Sequence, residues 1–142
     1  MMAMVTPTIH FNGQCQEAIE LYQKAFDARI GCILHYTDSI KSDWDYEIPP
    51  EQEAYVYHSE IYIGDNRIMM GDNSVPDPNK STSNFLTVTF DTAEEVRRAY
   101  EALKEGGRII TPIEITTYSS CMASLVDRFG VRWGIMTEGT DK

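Results

Sequence analysis

The sequence predicts an α+β protein in which one arrangement, a strand, a helix and three more strands, occurs twice. Two stretches carry helical periodicity, and each is preceded by one short apolar strand and followed by three others. The two helix stripes also align at one constant offset, pairing Ala18 with Val96, Tyr22 with Tyr100 and Ala25 with Leu103. One extra residue in the Asn12-Gly13 turn brings Phe11 onto Phe90 and Ile9 onto Val88. At 142 residues the chain reads as a single domain, with a first module over about 5–72 and a second over about 84–138.

The elements follow in order. Thr8 to Phe11 is the first strand. Gln14 to Phe26 is the first helix, its stripe formed by Ala18, Leu21, Tyr22, Ala25 and Phe26, with Glu17 early and Lys24 late as the helix dipole favours. Strands are predicted at Arg29 to Tyr36, Tyr55 to Ile63 and Arg67 to Gly71, the last two joined by Gly64-Asp65-Asn66. The second module begins with a strand over Phe85 to Phe90. Its helix runs from Thr92 to Glu105, opened by a Thr92/Glu95 capping box and stopped by Gly106-Gly107. Strands at Arg108 to Ile115, Met122 to Val126 and Val131 to Thr137 complete it, the last two joined by Asp127 to Gly130. Two long connections remain, Thr37 to Glu53 and Asp72 to Asn84. The first is acidic and holds Trp44 and Tyr46, which fits a lid as well as a linker.

Charge narrows the function. Twelve Lys and Arg against 22 Asp and Glu leave a formal charge of −10, which repels nucleic-acid phosphates and anionic lipid. No apolar run approaches the roughly 18 residues of a bilayer span, and the first residues do not read as a secretory signal. Cys15, Cys32 and Cys121 are odd in number and far apart, unlike a disulfide framework or a zinc-ligand spacing. A reduced, cytoplasmic protein is expected, with neither a membrane nor a nucleic acid as partner. The glycine patterns of dinucleotide and P-loop sites and the Gly-x-Ser-x-Gly nucleophile turn do not occur.

Several segments in order resemble the PhnB-like branch of the vicinal-oxygen-chelate superfamily, which includes glyoxalase I and bleomycin-resistance proteins. They are Pro7-Thr8-Ile9-His10-Phe11-Asn12-Gly13 followed by Glu17-Ala18-Ile19-Glu20-Leu21-Tyr22, then His58-Ser59-Glu60-Ile61-Tyr62-Ile63-Gly64, Met69-Met70-Gly71-Asp72 and the closing Val126-Asp127-Arg128-Phe129-Gly130-Val131-Arg132-Trp133. The resemblance implies paired βαβββ modules whose curved mixed sheets enclose a cavity, and a homodimer. In the metal-dependent relatives, four inward His or Glu side chains on the first and last strands of each module hold a divalent ion. The matching slots here fall at Thr6 or Pro7, Met69 or Met70, Phe85 and Gly134. Most of these offer no donor suited to a hard divalent ion, so the tetrad is expected to be absent and no metal or other cofactor is expected.

Strand alternation should turn Ile9 and Phe11 under the helix and His10 toward the cavity. It should likewise place His58, Glu60 and Tyr62 on the concave face, with Ile61 and Ile63 on the helix side. Pocket candidates are therefore His10, His58, Glu60 and Tyr62, with Met70, Phe85 and Tyr118 as apolar lining. The plain alternatives stand beside them: His10 as a hydrogen-bonded structural histidine, Glu60 on a solvated face, Met69-Met70 in the core, and His35-Tyr36 exposed at a strand end. Two functional expectations follow. One is metal-free binding of a small-molecule ligand. The other is a lyase or dioxygenase in which His58 or His10 acts as base or ligates, with Glu60, a recruited metal.

Overall fold

The protein is described from a computed structural model that covers residues 3–38, 48–73 and 84–139. The chain divides into two compact units, Met1–Pro78 and Asn79–Lys142. Trp44, Tyr46 and most of both long connections lie outside the described residues, and with them the segment read as a lid.

The first unit contains β1 (Thr8–Phe11), α1 (Cys15–Phe26), β2 (Arg29–His35), β3 (Val56–Ile63) and β4 (Asn66–Asp72). Its four strands form one mixed sheet in the order β1-β4-β3-β2, with β1 parallel to β4 and the other pairs antiparallel. The second unit repeats this with β5 (Leu86–Phe90), α2 (Ala93–Lys104), β6 (Arg108–Glu114), β7 (Met122–Val126) and β8 (Arg132–Thr137), in the order β5-β8-β7-β6. The twice-repeated βαβββ order expected from the sequence is therefore the fold. Neither sheet closes on itself.

Each helix buries one stripe. Ala18, Ile19, Tyr22 and Ala25 of α1 are wholly buried, as are Val96, Ala99 and Leu103 of α2, so the repeat pairs Ala18/Val96 and Ala25/Leu103 occupy equivalent core positions, while Tyr100 is only half-buried where Tyr22 is fully buried. Under α1 the sheet contributes Phe11, Ile61, Ile68 and Met70; β7 and β8, which α2 packs on, contribute Ala123, Leu125, Trp133 and Ile135. Burying each large aliphatic side chain stabilises the unit by about 2 kcal/mol before conformational entropy is counted.

The helix ends differ in how they are satisfied. Thr92 forms the predicted capping box: its Oγ1 accepts from the Glu95 N–H at 3.2 Å, and Glu95 Oε1 accepts from the Thr92 N–H at 3.2 Å. The helix α1 has Gln14 at its N-cap with no side-chain cap. Its first amide is met instead from β4, where Asp72 Oδ1 accepts from the Cys15 N–H at 3.0 Å and, in the turn before the helix, from the Gly13 N–H at 2.8 Å. Asp72 Oδ2 accepts from the Val56 N–H at 3.0 Å, so one buried carboxylate ties helix start, β3 and β4 together. Asp127 plays a parallel part in the second unit, accepting from the Phe129 and Val131 N–H groups and from Trp133 Nε1 at 2.9 Å. Trp133 thus has the indole partner its burial demands.

One expectation about exposure is corrected. Tyr36 does not end β2 as an exposed residue: it starts a 3-10 turn, packs its ring tilted by 59° against Tyr57 with centroids 5.3 Å apart, and donates its hydroxyl hydrogen to the Asp72 carbonyl at 2.9 Å. Val56 shares sequence parity with His58 yet is buried, because the β2/β3 register slips between Leu34 and His35 and turns it to the helix side.

Candidate functional site

Strand β3 builds the site. Ser59 and Ile61 face α1 and are fully buried, which leaves His58, Glu60 and Tyr62 half-buried on the opposite, open face. Cross-strand partners share a face, so the registers name their neighbours. Glu60 lies between Cys32 on β2 and Met69 on β4, His58 stands opposite Leu34, and Tyr62 stands between Arg29 and Arg67.

The register slip between Ile30 and Cys32 matters here. Ile30 pairs with Ile61 and Cys32 with Glu60, so Gly31 is an extra residue that keeps Arg29 and Cys32, three apart, on one face. Gly31 is small for a reason: a Cβ there would lie 2.9 Å from the Tyr62 ring and 3.1 Å from the Glu60 carbonyl oxygen. Arg29 uses the room to place its guanidinium 4.8 Å over the Tyr62 ring.

The polar centre is compact. His58 Nε2 is 3.1 Å from Glu60 Oε2, and Arg67 Nη1 is 3.4 Å from Glu60 Oε1. Arg67 Nη2 reaches Thr6 Oγ1 at 3.5 Å. The hydrogen bond from His58, assisted by the Arg67 charge and opposed by desolvation, holds the Glu60 carboxyl below its ordinary range. Cys32 completes the group: a sulfur, a ring nitrogen and a carboxylate oxygen from Cys32, His58 and Glu60 all lie within 4.8 Å of one another.

The structure does not gather every predicted residue. His10 is exposed on β1, separated from β3 by β4. Met70, expected to line the cavity, instead opposes Ser59 on the helix side and is 1% exposed; alternation gives the open face to Met69. Phe85 and Tyr118 belong to the second unit, both exposed, with the Arg132 guanidinium 4.5 Å over the Phe85 ring. Cys32 was missed because cysteine spacing along the chain carries no trace of a cross-strand pairing.

The residues at the family slots are poor metal donors: Pro7, Phe85 and Gly134 have no donor side chain, the thioethers of Met69 and Met70 suit hard divalent ions badly, and the Thr6 hydroxyl already meets Arg67 Nη2. Gly134 also has no room for one, since a Cβ there would lie 2.9 Å from Thr87 Oγ1.

The three cysteines should differ sharply in reactivity. Cys15 sits at a helix start, where thiols are usually activated, but burial, helped by the Asp72 charge and only partly offset by Ser59, pushes it up to about 12. Cys121 is fully buried and Cys32 half-buried. Alkylation of the folded protein followed by peptide mass mapping is expected to label Cys32 first, with Cys15 and Cys121 labelled only after unfolding. Labelling of Cys15 at the rate of Cys32 would contradict this placement.

Comparison with known proteins settles the ancestry. The family model described as 3-demethylubiquinone-9 3-methyltransferase matches residues 3–136. The chain belongs to this PhnB-like family. Protein YjdN of Escherichia coli (strain K12) is 28% identical over 137 residues, 92% of each chain. The solved structure of a putative 3-demethylubiquinone-9 3-methyltransferase, PhnB protein, from Bacillus cereus is 26% identical with a TM-score of 0.79, covering 95% of this chain and 99% of that one. A glyoxylase/bleomycin resistance protein/dioxygenase domain from Frankia sp. EAN1pec shares the fold at a TM-score of 0.67 and 8% identity, over 100% of this chain and 96% of that one. The PhnB-like chain thus has the vicinal-oxygen-chelate fold.

Proposed function

We propose that this PhnB-like protein binds a small molecule rich in hydrogen-bond acceptors on the open face of its first sheet, working as a cytoplasmic homodimer that has lost the family's metal tetrad. The observation that carries this reading is the unspent donor capacity beside His58 and Glu60. Arg67 Nε is buried and has no hydrogen-bond partner among the described residues, while its two terminal nitrogens hold Glu60 and Thr6 only loosely. The Arg67 side chain is about one-third exposed and its two terminal contacts are long, so the guanidinium can turn toward a ligand oxygen on the open face. Tyr62, Leu34 and Met69 supply the apolar surround that a binding site needs.

Melting-shift screening against a broad metabolite and antibiotic panel is the first experiment, because a bound ligand stabilises by mass action. With the best hit as probe, His58→Ala is expected to lower affinity roughly tenfold, while unliganded stability stays within about 0.5 kcal/mol. A loss of about 2 kcal/mol or more in the unliganded variant would mark His58 as structural and end the pocket assignment.

The 3.1 Å contact of His58 with Glu60 favours a second reading. A carboxylate that orients an imidazole makes it a competent base, as a lyase or dioxygenase abstracting a proton beside a carbonyl requires. Methyl transfer is not proposed. The strand-to-helix turn before α1, Asn12-Gly13-Gln14, lacks the glycine-rich sequence of the common S-adenosylmethionine fold.

A further inference from the structure

We propose that Cys32, His58 and Glu60 form a binding site for a divalent metal ion of the zinc class, distinct from the four family slots. The case begins with donor chemistry. A thiolate, an imidazole and a carboxylate are the ligand types zinc takes, whereas magnesium and calcium prefer oxygen alone. Geometry comes next. Bonds of roughly 2.0–2.3 Å to a tetrahedral ion separate its ligand atoms by roughly 3.3–3.8 Å. The three donor atoms already lie within 4.8 Å of one another, so small side-chain rotations bring them onto one centre.

The backbone keeps them there. Cys32 and Glu60 are directly paired across β2 and β3, and His58 is the next residue of β3 on that face. Strands hold such positions more rigidly than loops do. The His58 side chain is 36% exposed and that of Glu60 27%, so an ion can enter from solvent and a fourth position stays open to water or an oxyanion.

Charge does not oppose the site. One thiolate and one carboxylate neutralise the ion, leaving Arg67 beside a neutral centre. Arg67 contacts Oε1 while His58 contacts Oε2, so the guanidinium orients the carboxylate from outside, as partners behind metal ligands commonly do. The inference does not rest on the small-molecule reading, which needs no metal.

The test uses the untagged full chain, stripped of metal and dialysed against zinc alone. One zinc per chain is expected, with affinity falling at least tenfold in Cys32→Ser, His58→Ala and Glu60→Gln. Cobalt(II) put in place of zinc should show a sulfur-to-metal charge-transfer band that Cys32→Ser removes and His58→Ala retains at higher cobalt. In the unsubstituted protein, zinc should slow alkylation of Cys32 at least tenfold, a readout that stands even if a variant fails to fold. Absence of stoichiometric zinc, a cobalt spectrum without the sulfur band, or unchanged affinity in Cys32→Ser would overturn the site. Ligand binding by metal-free protein would survive each of those results.

Discussion

Replacing Asp72 by Ala is expected to destabilise the first module by about 3 kcal/mol and to lower the melting temperature by about 10 °C. The carboxylate is 4% exposed and accepts three backbone N–H groups, from Gly13, Cys15 and Val56. An alanine would leave all three without that acceptor, and α1 would lose the only side chain that caps its start among the described residues. Water can reach the half-buried Gly13 amide but not those of Cys15 and Val56 as readily, so the loss is only partly repaired. Asp72→Asn keeps one acceptor oxygen and should lose about half as much. Denaturant unfolding measures the sum, and hydrogen exchange at Cys15 and Val56 locates it. A change below about 1 kcal/mol in Asp72→Ala would show that the three bonds do not hold the module together.

Gly107→Ala should cost about 3 kcal/mol as well, for an unrelated reason. A methyl group there would be driven against the Val126 carbonyl oxygen, with the Asp127 Cα and the Leu103 carbonyl oxygen each 3.1 Å away. These are all backbone atoms, so no side chain can swing aside, and α2 would have to move from β7. Gly64→Ala is the control. It sits at φ 60° with open space around its missing Cβ, so only the left-handed backbone penalty of about 1–2 kcal/mol applies. Equal losses in the two variants would refute close helix-strand approach as the reason for Gly107.

The repeat was legible because burial imposes a period. Val96, Ala99 and Leu103 announce α2 by their spacing, and Thr92 with Glu95 announces its start through a bond made within four residues. The open face of β3 could be read for the same reason: alternation places Ile61 and Ile63 under a helix, and Ile61 is fully buried there, so Glu60 and Tyr62 face away. Local rules failed wherever a neighbouring strand intervened. Alternation cannot tell which of Met69 and Met70 faces the helix until the partner residue is known, and Glu60 opposes Met69. Tyr36 carries a polar tip that suits solvent, yet a carbonyl on β4 takes its hydroxyl.

The sequence by itself determined two βαβββ modules, their helix stripes and one capped helix start, because periodicity and local hydrogen bonds are written within a few residues of one another. Tertiary structure alone decided that Asp72 caps α1 and that Cys32 meets His58 and Glu60. Both depend on strand register, and the slip at Gly31 sets the second. A register is chosen by the packing of a whole sheet face, which no short stretch of sequence contains.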